Sequence, residues 1–193
     1  GPRGSGLGTN LLKEADVILV LGSRIGFNTS FYSYENINEK ASIIQCEIDQ
    51  KSIGRYFPVE VGILADAKTV AKQLYSSLKT VQLKKEVEEW SNQFKKNKKS
   101  FLDQREASAD TKSVPILSSG LFKELRSALP KDAIITLDAG TMCLQLTDAL
   151  DFHQPKSLFS PLDYGLIGWS YPAGLGLKIA APDRTILSFH GDG

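Results

Sequence analysis

Two cysteines and two histidines are all that this 193-residue sequence offers of the residues that bind soft metals. Cys46, Cys143, His153 and His190 lie far apart along the chain, and no zinc set can be assembled from them. The two cysteines could pair, but nothing points to export, so both are expected as reduced core residues. Long apolar runs are missing too. None approaches the roughly eighteen residues that a membrane span needs, and no signal peptide is read at the start, so a cytoplasmic chain is expected. An excess of one charge is also absent: 23 basic residues stand against 22 acidic ones, for a formal charge of +1. That balance gives no general argument for nucleic-acid or anionic-membrane partners. Common catalytic and nucleotide motifs are lacking as well. Gly4, Gly6 and Gly8 precede a helical stretch with no strand before them and no Gly-Lys-Ser/Thr after them, so they make neither glycine fingerprint. No Ser-His-Asp set carries the context of a nucleophile elbow. The opening Gly1-Pro2-Arg3-Gly4-Ser5 reads either as a protease-site scar or as a native loop.

What is present is an ordinary globular composition, 41% hydrophobic, patterned as alternating strands and helices. A short helix is expected over residues 10–16. Val17-Ile18-Leu19-Val20-Leu21 is a continuous apolar run closed by Gly22, the pattern of a central parallel strand. Residues 26–39 have no clean period and read as loop and short helix. Residues 41–48 form a second strand ending at Asp49, and residues 59–64 a third. Asp66 is placed to cap a helix over residues 67–78, whose Val70, Leu74 and Leu78 recur every four residues as one buried face. The expected fold class is α/β: two three-layer units with mainly parallel sheets, the second incomplete. The expected division is residues 1–80, a helical linker over 81–112, and 113–193.

The linker is charge-dense. Lys95, Lys96, Lys98 and Lys99 would suit a nucleic-acid arm, but Glu86, Glu88 and Glu89 share the segment, which favours a solvated helix with one aromatic stripe. Beyond it, a helix is expected from Pro115 in its first turn to Leu129, then a strand over 133–137. The turn Asp138-Ala139-Gly140-Thr141 follows, with a helix over 142–150. The final stretch holds a glycine-punctuated turn, helix-compatible residues from 172 to 180 stopped by Pro182-Asp183, and an apolar strand over 185–189 suited to burial. That strand ends in Gly191-Asp192-Gly193, which offers approachable backbone amides with a carboxylate between them. Such a site suits a phosphate bound together with a hard divalent cation. Ligands of open α/β sheets sit beyond the carboxyl ends of the strands, so Gly140-Thr141 and Gly191-Asp192-Gly193 would face one crevice if their strands are neighbours.

The ordered run Gly165-Leu166-Ile167-Gly168, Tyr171-Pro172-Ala173-Gly174, Pro182-Asp183-Arg184 and Gly191-Asp192-Gly193 resembles the thiamine-diphosphate enzymes related to acetolactate synthase, pyruvate oxidase and pyruvate decarboxylase. The resemblance implies a middle domain over about residues 9–80 and the start of the diphosphate-binding domain over about residues 113–193. It implies a fragment, inactive alone, of an enzyme whose further domain supplies a catalytic glutamate. It also implies thiamine diphosphate and Mg²⁺ as cofactors, a small 2-oxo acid as substrate, and a homodimer or homotetramer with the active site between subunits. Decarboxylation and carboligation of acetolactate synthase type is the expected chemistry. The sibling readings are an oxalyl-CoA or 2-hydroxyacyl-CoA lyase or a pyruvate oxidase, and a non-catalytic nucleotide-binding scaffold is the reading from another class.

Site residues follow in the same terms. Asp192 either caps a following helix or, as the resemblance implies, ligates Mg²⁺, with Gly191 and Gly193 admitting the diphosphate. Ile167, flanked by Gly165 and Gly168, is either a plug between helix and sheet or the apolar support under the bend of the cofactor, the resemblance implying the latter. Gly140 and Thr141 form either a plain turn or a diphosphate contact. Acetolactate synthases carry Gly-Gln-His here, and Gly140-Thr141-Met142 departs from that, since Met142 cannot donate as a histidine does. In the middle domain Gly22, Arg24, Asp49 and Asp66 correspond to positions around FAD in the flavin-binding members. Loop anchoring through Arg24–carboxylate pairs is the alternative. His190 faces either the cofactor or the space between sheet and helix; His153 is read as a surface residue.

Overall fold

The computed structural model describes residues 6–191 and divides into two compact units that meet in sequence at Lys99 and Ser100. In the first, α1 (Gly6–Glu14) leads into β1 (Val17–Leu21), α2 (Phe27–Ser30), β2 (Ser42–Glu47), a 3-10 turn (Gln50–Ser52), β3 (Val61–Leu64) and α3 (Ala67–Leu78). The three strands form one parallel sheet in the order β1-β2-β3, with Leu19 opposite Ile44 and Ile44 opposite Val61. Ile18, Val20, Ile25, Ile37, Ile43 and Phe57 form the core on one face, joined by Leu12 and Ala15.

The apolar run of β1 is not buried on both faces. Ile18 and Val20 are buried, whereas Val17, Leu19 and Leu21 are 59%, 48% and 37% exposed. The cause is position: among the described residues β1 is the terminal strand of its sheet, and α3, whose Val70 is buried, packs on β2. The expected α3 stripe also fades along its length. Val70 is buried, Leu74 is half-buried and Leu78 is 55% exposed. Asp66 caps α3, its Oδ1 accepting from the Thr69 amide at 2.9 Å and the Thr69 hydroxyl at 3.0 Å.

The charged stretch forms α4 (Lys85–Ala107), a helix with no buried residue that contributes to both units. Lys85 and Glu89 pair at 3.6 Å across one turn. In the first unit Trp90 and Phe94 line a shallow cleft with Leu7 and Leu11. Among the described residues no helix is long and apolar enough to cross a membrane.

The second unit contains α5 (Ser118–Ala128), β4 (Ile134–Leu137), α6 (Thr141–Ala149), β5 (Leu158–Phe159), α7 (Ser170–Ala180) and β6 (Ile186–Phe189). Its sheet is parallel, in the order β5-β4-β6. Helix α5 begins at Ser118 rather than Pro115, because Leu117 is still extended. β4 lies between two strands, and all four of its residues are buried. Phe122, Ile135, Leu137, Leu146 and Leu150 make the core around it. β6, expected to be buried, is the terminal strand and only half-buried for the same reason as β1. Both units are α/β in character, with parallel strands; helices join β1 to β2, β4 to β5 and β5 to β6, while a 3-10 turn and loop join β2 to β3.

Candidate functional site

The carboxyl ends of β4 and β6 are neighbours, Leu137 lying opposite Phe189, and the Asp138 amide extends the ladder to the Phe189 carbonyl at 3.0 Å. The next amide, that of Ala139, donates to the Leu166 carbonyl at 3.1 Å and brings the glycine-rich turn to the same place. Gly165 (φ 65°) and Gly168 (φ 77°) hold backbone that favours glycine, so the turn bends sharply on either side of Leu166-Ile167. Asp138, 4% exposed, accepts from the Gly168 amide at 2.8 Å and from the Ser170 amide at 2.5 Å. Gly140, at φ 145°, opens α6, whose first residue Thr141 is exposed.

Three of the expected residue sets therefore meet beyond one sheet edge: Gly140 with Thr141, Gly165 with Ile167, and Gly191. A Cβ at Gly140, Gly165, Gly168 or Gly191 would find nothing within 4 Å, so the backbone there borders open space. Ile167 is 67% exposed and does not plug helix against sheet. An apolar side chain presented to that space, beside bare backbone and the first turn of a helix, suits a ligand with an apolar body and an anionic tail. His190 is exposed beside it, edge-on to Tyr171 at 6.2 Å. Asp192 and Gly193 lie outside the described residues. Among those described, no group of three or more His, Cys, Asp or Glu side chains could hold a metal ion.

In the first unit Gly22, Arg24, Asp49 and Asp66 all follow the carboxyl ends of their strands. Gly22 (φ 60°) turns the chain so closely against α3 that an added Cβ would come within 3.3 Å of the Ala67 Cβ. Buried Gln45 ties the loops together. Its Nε2 donates to Ser23 O at 2.9 Å and Ser52 O at 3.2 Å, and its Oε1 accepts from Gly54 N at 2.8 Å. Asp49 caps the 3-10 turn through Lys51 N at 3.0 Å and Ser52 Oγ at 3.1 Å. The Thr69 amide, and then its hydroxyl, lower the Asp66 pKa below the ordinary carboxylate value. Arg24 is exposed. Tyr32 stacks on Tyr56 at 4.3 Å, and the hydrogen bond between them raises the Tyr32 phenol above its usual value.

Two stretches of the chain match models of one enzyme family, in order: residues 1–74 its central domain and residues 138–193 its C-terminal thiamine pyrophosphate binding domain. The chain belongs to the thiamine pyrophosphate enzymes. The C-terminal match opens at Asp138 and takes in the whole glycine-lined crevice described above. Sulfoacetaldehyde acetyltransferases of Alcaligenes xylosoxydans xylosoxydans and Roseovarius nubinhibens are 29% and 30% identical over all of this chain and 36% and 35% of their own length. The acetolactate synthase isozyme 1 large subunit of Escherichia coli is 28% identical over 95% of this chain and 31% of its own. The chain thus spans about a third of the length of these curated relatives.

In the sequence Asp138 reads only as part of a turn, and its bonds to the Gly168 and Ser170 amides were missed. No local signal marks it, because both partners lie thirty or more residues further along the chain.

Proposed function

We propose that this chain belongs to a thiamine-diphosphate- and Mg²⁺-dependent enzyme that breaks and forms carbon–carbon bonds beside the carbonyl of a small acid substrate. The observation that carries this is Ile167, exposed on a turn whose neighbours are pinned, at the shared carboxyl end of β4 and β6. When bound, the cofactor acts as electron sink for decarboxylation and carboligation; the protein binds and orients it. Ile167 would give it an apolar support that favours its reactive shape. Gly140, Gly165, Gly191 and Gly193 let the main chain approach, and the Thr141 hydroxyl and the first amides of α6 receive diphosphate oxygens. Asp192 supplies a carboxylate oxygen to Mg²⁺. The active enzyme is a cytoplasmic homodimer or homotetramer with its site between subunits. Acetolactate synthase-type reaction of a 2-oxo acid is one reading; acetyl transfer with sulfoacetaldehyde as the substrate is the second, favoured by the relatives named sulfoacetaldehyde acetyltransferase. Assaying the full-length enzyme for consumption of pyruvate and of sulfoacetaldehyde, each supplied without the other, distinguishes them.

In the first unit, Arg24 contacts the phosphate of a flavin or adenine nucleotide, with Gly22 admitting the backbone approach and Asp49 and Asp66 shaping the loops. Arg24→Ala then loses bound nucleotide, measured by absorbance after denaturation, while the fold persists. No nucleotide in the parent protein rejects this role.

The site itself is tested in the full-length enzyme by titrating thiamine diphosphate with Mg²⁺ and then measuring kcat at saturation. Asp192→Ala is expected to lose cofactor affinity. Ile167→Ala is expected to bind the cofactor almost as the parent does, yet to turn over more slowly because fewer bound molecules hold the reactive shape. A parent-like kcat for Ile167→Ala overturns its role.

A further inference from the structure

Ile167 combines two properties that rarely go together. Its side chain is 67% exposed, so packing does not hold it, yet the main chain on both sides is fixed. The carbonyl of the preceding Leu166 accepts from the Ala139 amide, and the amide of the following Gly168 donates to Asp138. The left-handed backbone of Gly165 and Gly168 gives the turn no preference of its own for this path, since glycine takes many others as readily. Something outside the turn must choose it.

That something is the Asp138 carboxylate. It sits at the end of the central strand, 4% exposed, with its own amide in the β4–β6 ladder. Both oxygens are occupied by backbone amides, of Gly168 at 2.8 Å and of Ser170 at 2.5 Å. Ser170 is the first residue of α7, so the carboxylate also lies where the helix dipole favours a negative charge. Charge-assisted bonds of this kind are stronger than neutral ones. An asparagine could accept only one of the two amides and would set its own NH₂ against the other.

We infer that Asp138 is a positioning residue: through Gly168 and Ser170 it holds Ile167 at the cofactor side of the crevice. The inference rests on the role proposed above for Ile167, but its first test does not. In the parent protein, amide hydrogen exchange should show Gly168 protected to a degree comparable with β4, although Gly168 is exposed. Asp138→Asn should speed exchange at Gly168 and Ser170 by at least about tenfold while β4 and β6 amides stay slow. An unprotected parent Gly168, or unchanged exchange in the variant, overturns the clamp whether or not the cofactor role of Ile167 is correct.

The second test is a double-mutant cycle in the holoenzyme. Asp138→Asn should leave the thiamine diphosphate Kd within about threefold and lower kcat about as much as Ile167→Ala, and the double variant should be no slower than Ile167→Ala alone. A merely structural contribution predicts additive losses instead, and additivity overturns the inference. If Ile167→Ala itself has the parent kcat, the proposed function of that residue fails while the exchange result on Asp138 stands.

Discussion

Thr136 and Ser188 lie opposite each other on the parallel strands β4 and β6, with their hydroxyl oxygens 2.8 Å apart. The Thr136 hydroxyl also lies 2.9 Å from the Ser170 carbonyl and 2.9 Å from the Ser170 hydroxyl, so the start of α7 is fastened to the sheet through one buried threonine. Gly174, one turn further along α7, is buried against the same group. A Cβ there would collide with Ser188 Oγ and come within 3.4 Å of Thr136 Oγ1. The glycine is what lets the helix lie this close.

Gly174→Ala is therefore expected to destabilise the second unit by roughly 1–3 kcal/mol, although alanine is the better helix former. Removing the obstructing hydroxyl should recover part of the loss, so Gly174→Ala with Ser188→Ala should be more stable than the two single effects summed. Urea unfolding of the four proteins gives the coupling directly.

A second expectation concerns acid. The folded-state pKa of Asp66 is lowered by its cap bonds, so its contribution is fully present above the unfolded value of about 3.9 and is lost as pH falls through the folded value. Asp66→Ala should lower the unfolding midpoint at neutral pH and narrow its difference from the parent as the pH approaches that of the folded carboxyl. Asp66→Asn keeps the cap without the charge and should sit between them. Thermal melts at several pH values check the order.

Gln45 supports a third. Its buried amide satisfies Ser23 O, Ser52 O and Gly54 N at once, and Gln45→Leu leaves all three without that partner. A loss of about 1–3 kcal/mol is expected, with faster hydrogen exchange concentrated in the loops after β1 and β2. A variant as stable as the parent would show that solvent replaces those bonds.

These cases also mark what the sequence discloses. The Asp66 cap was legible because its partner is three residues away. The meeting of Gly140-Thr141 with Gly191 was legible through the general rule for strand ends, once their strands proved to be neighbours, whereas Ile167 came in through the family resemblance alone. Asp138 was not, since its partners are thirty and thirty-two residues further on and nothing local announces them. Nor could composition separate β4 from β1. Both are short apolar runs, and only a second neighbouring strand, a long-range fact, buries one on both faces and leaves the other half in water. β5 escaped notice because two residues carry no period.

The exposed side of β1 carries an expectation for how this chain behaves in a tube. Val17, Leu19 and Leu21 form a greasy row on a strand that, among the described residues, pairs on one side only. Such a border is a template for adding another strand from whatever chain drifts past. Turbidity should therefore rise with protein concentration and with sulfate, which strengthens apolar burial, well before either sheet unfolds. Clouding in these samples would report stickiness of the intact fold, and warming them would be the wrong assay for it.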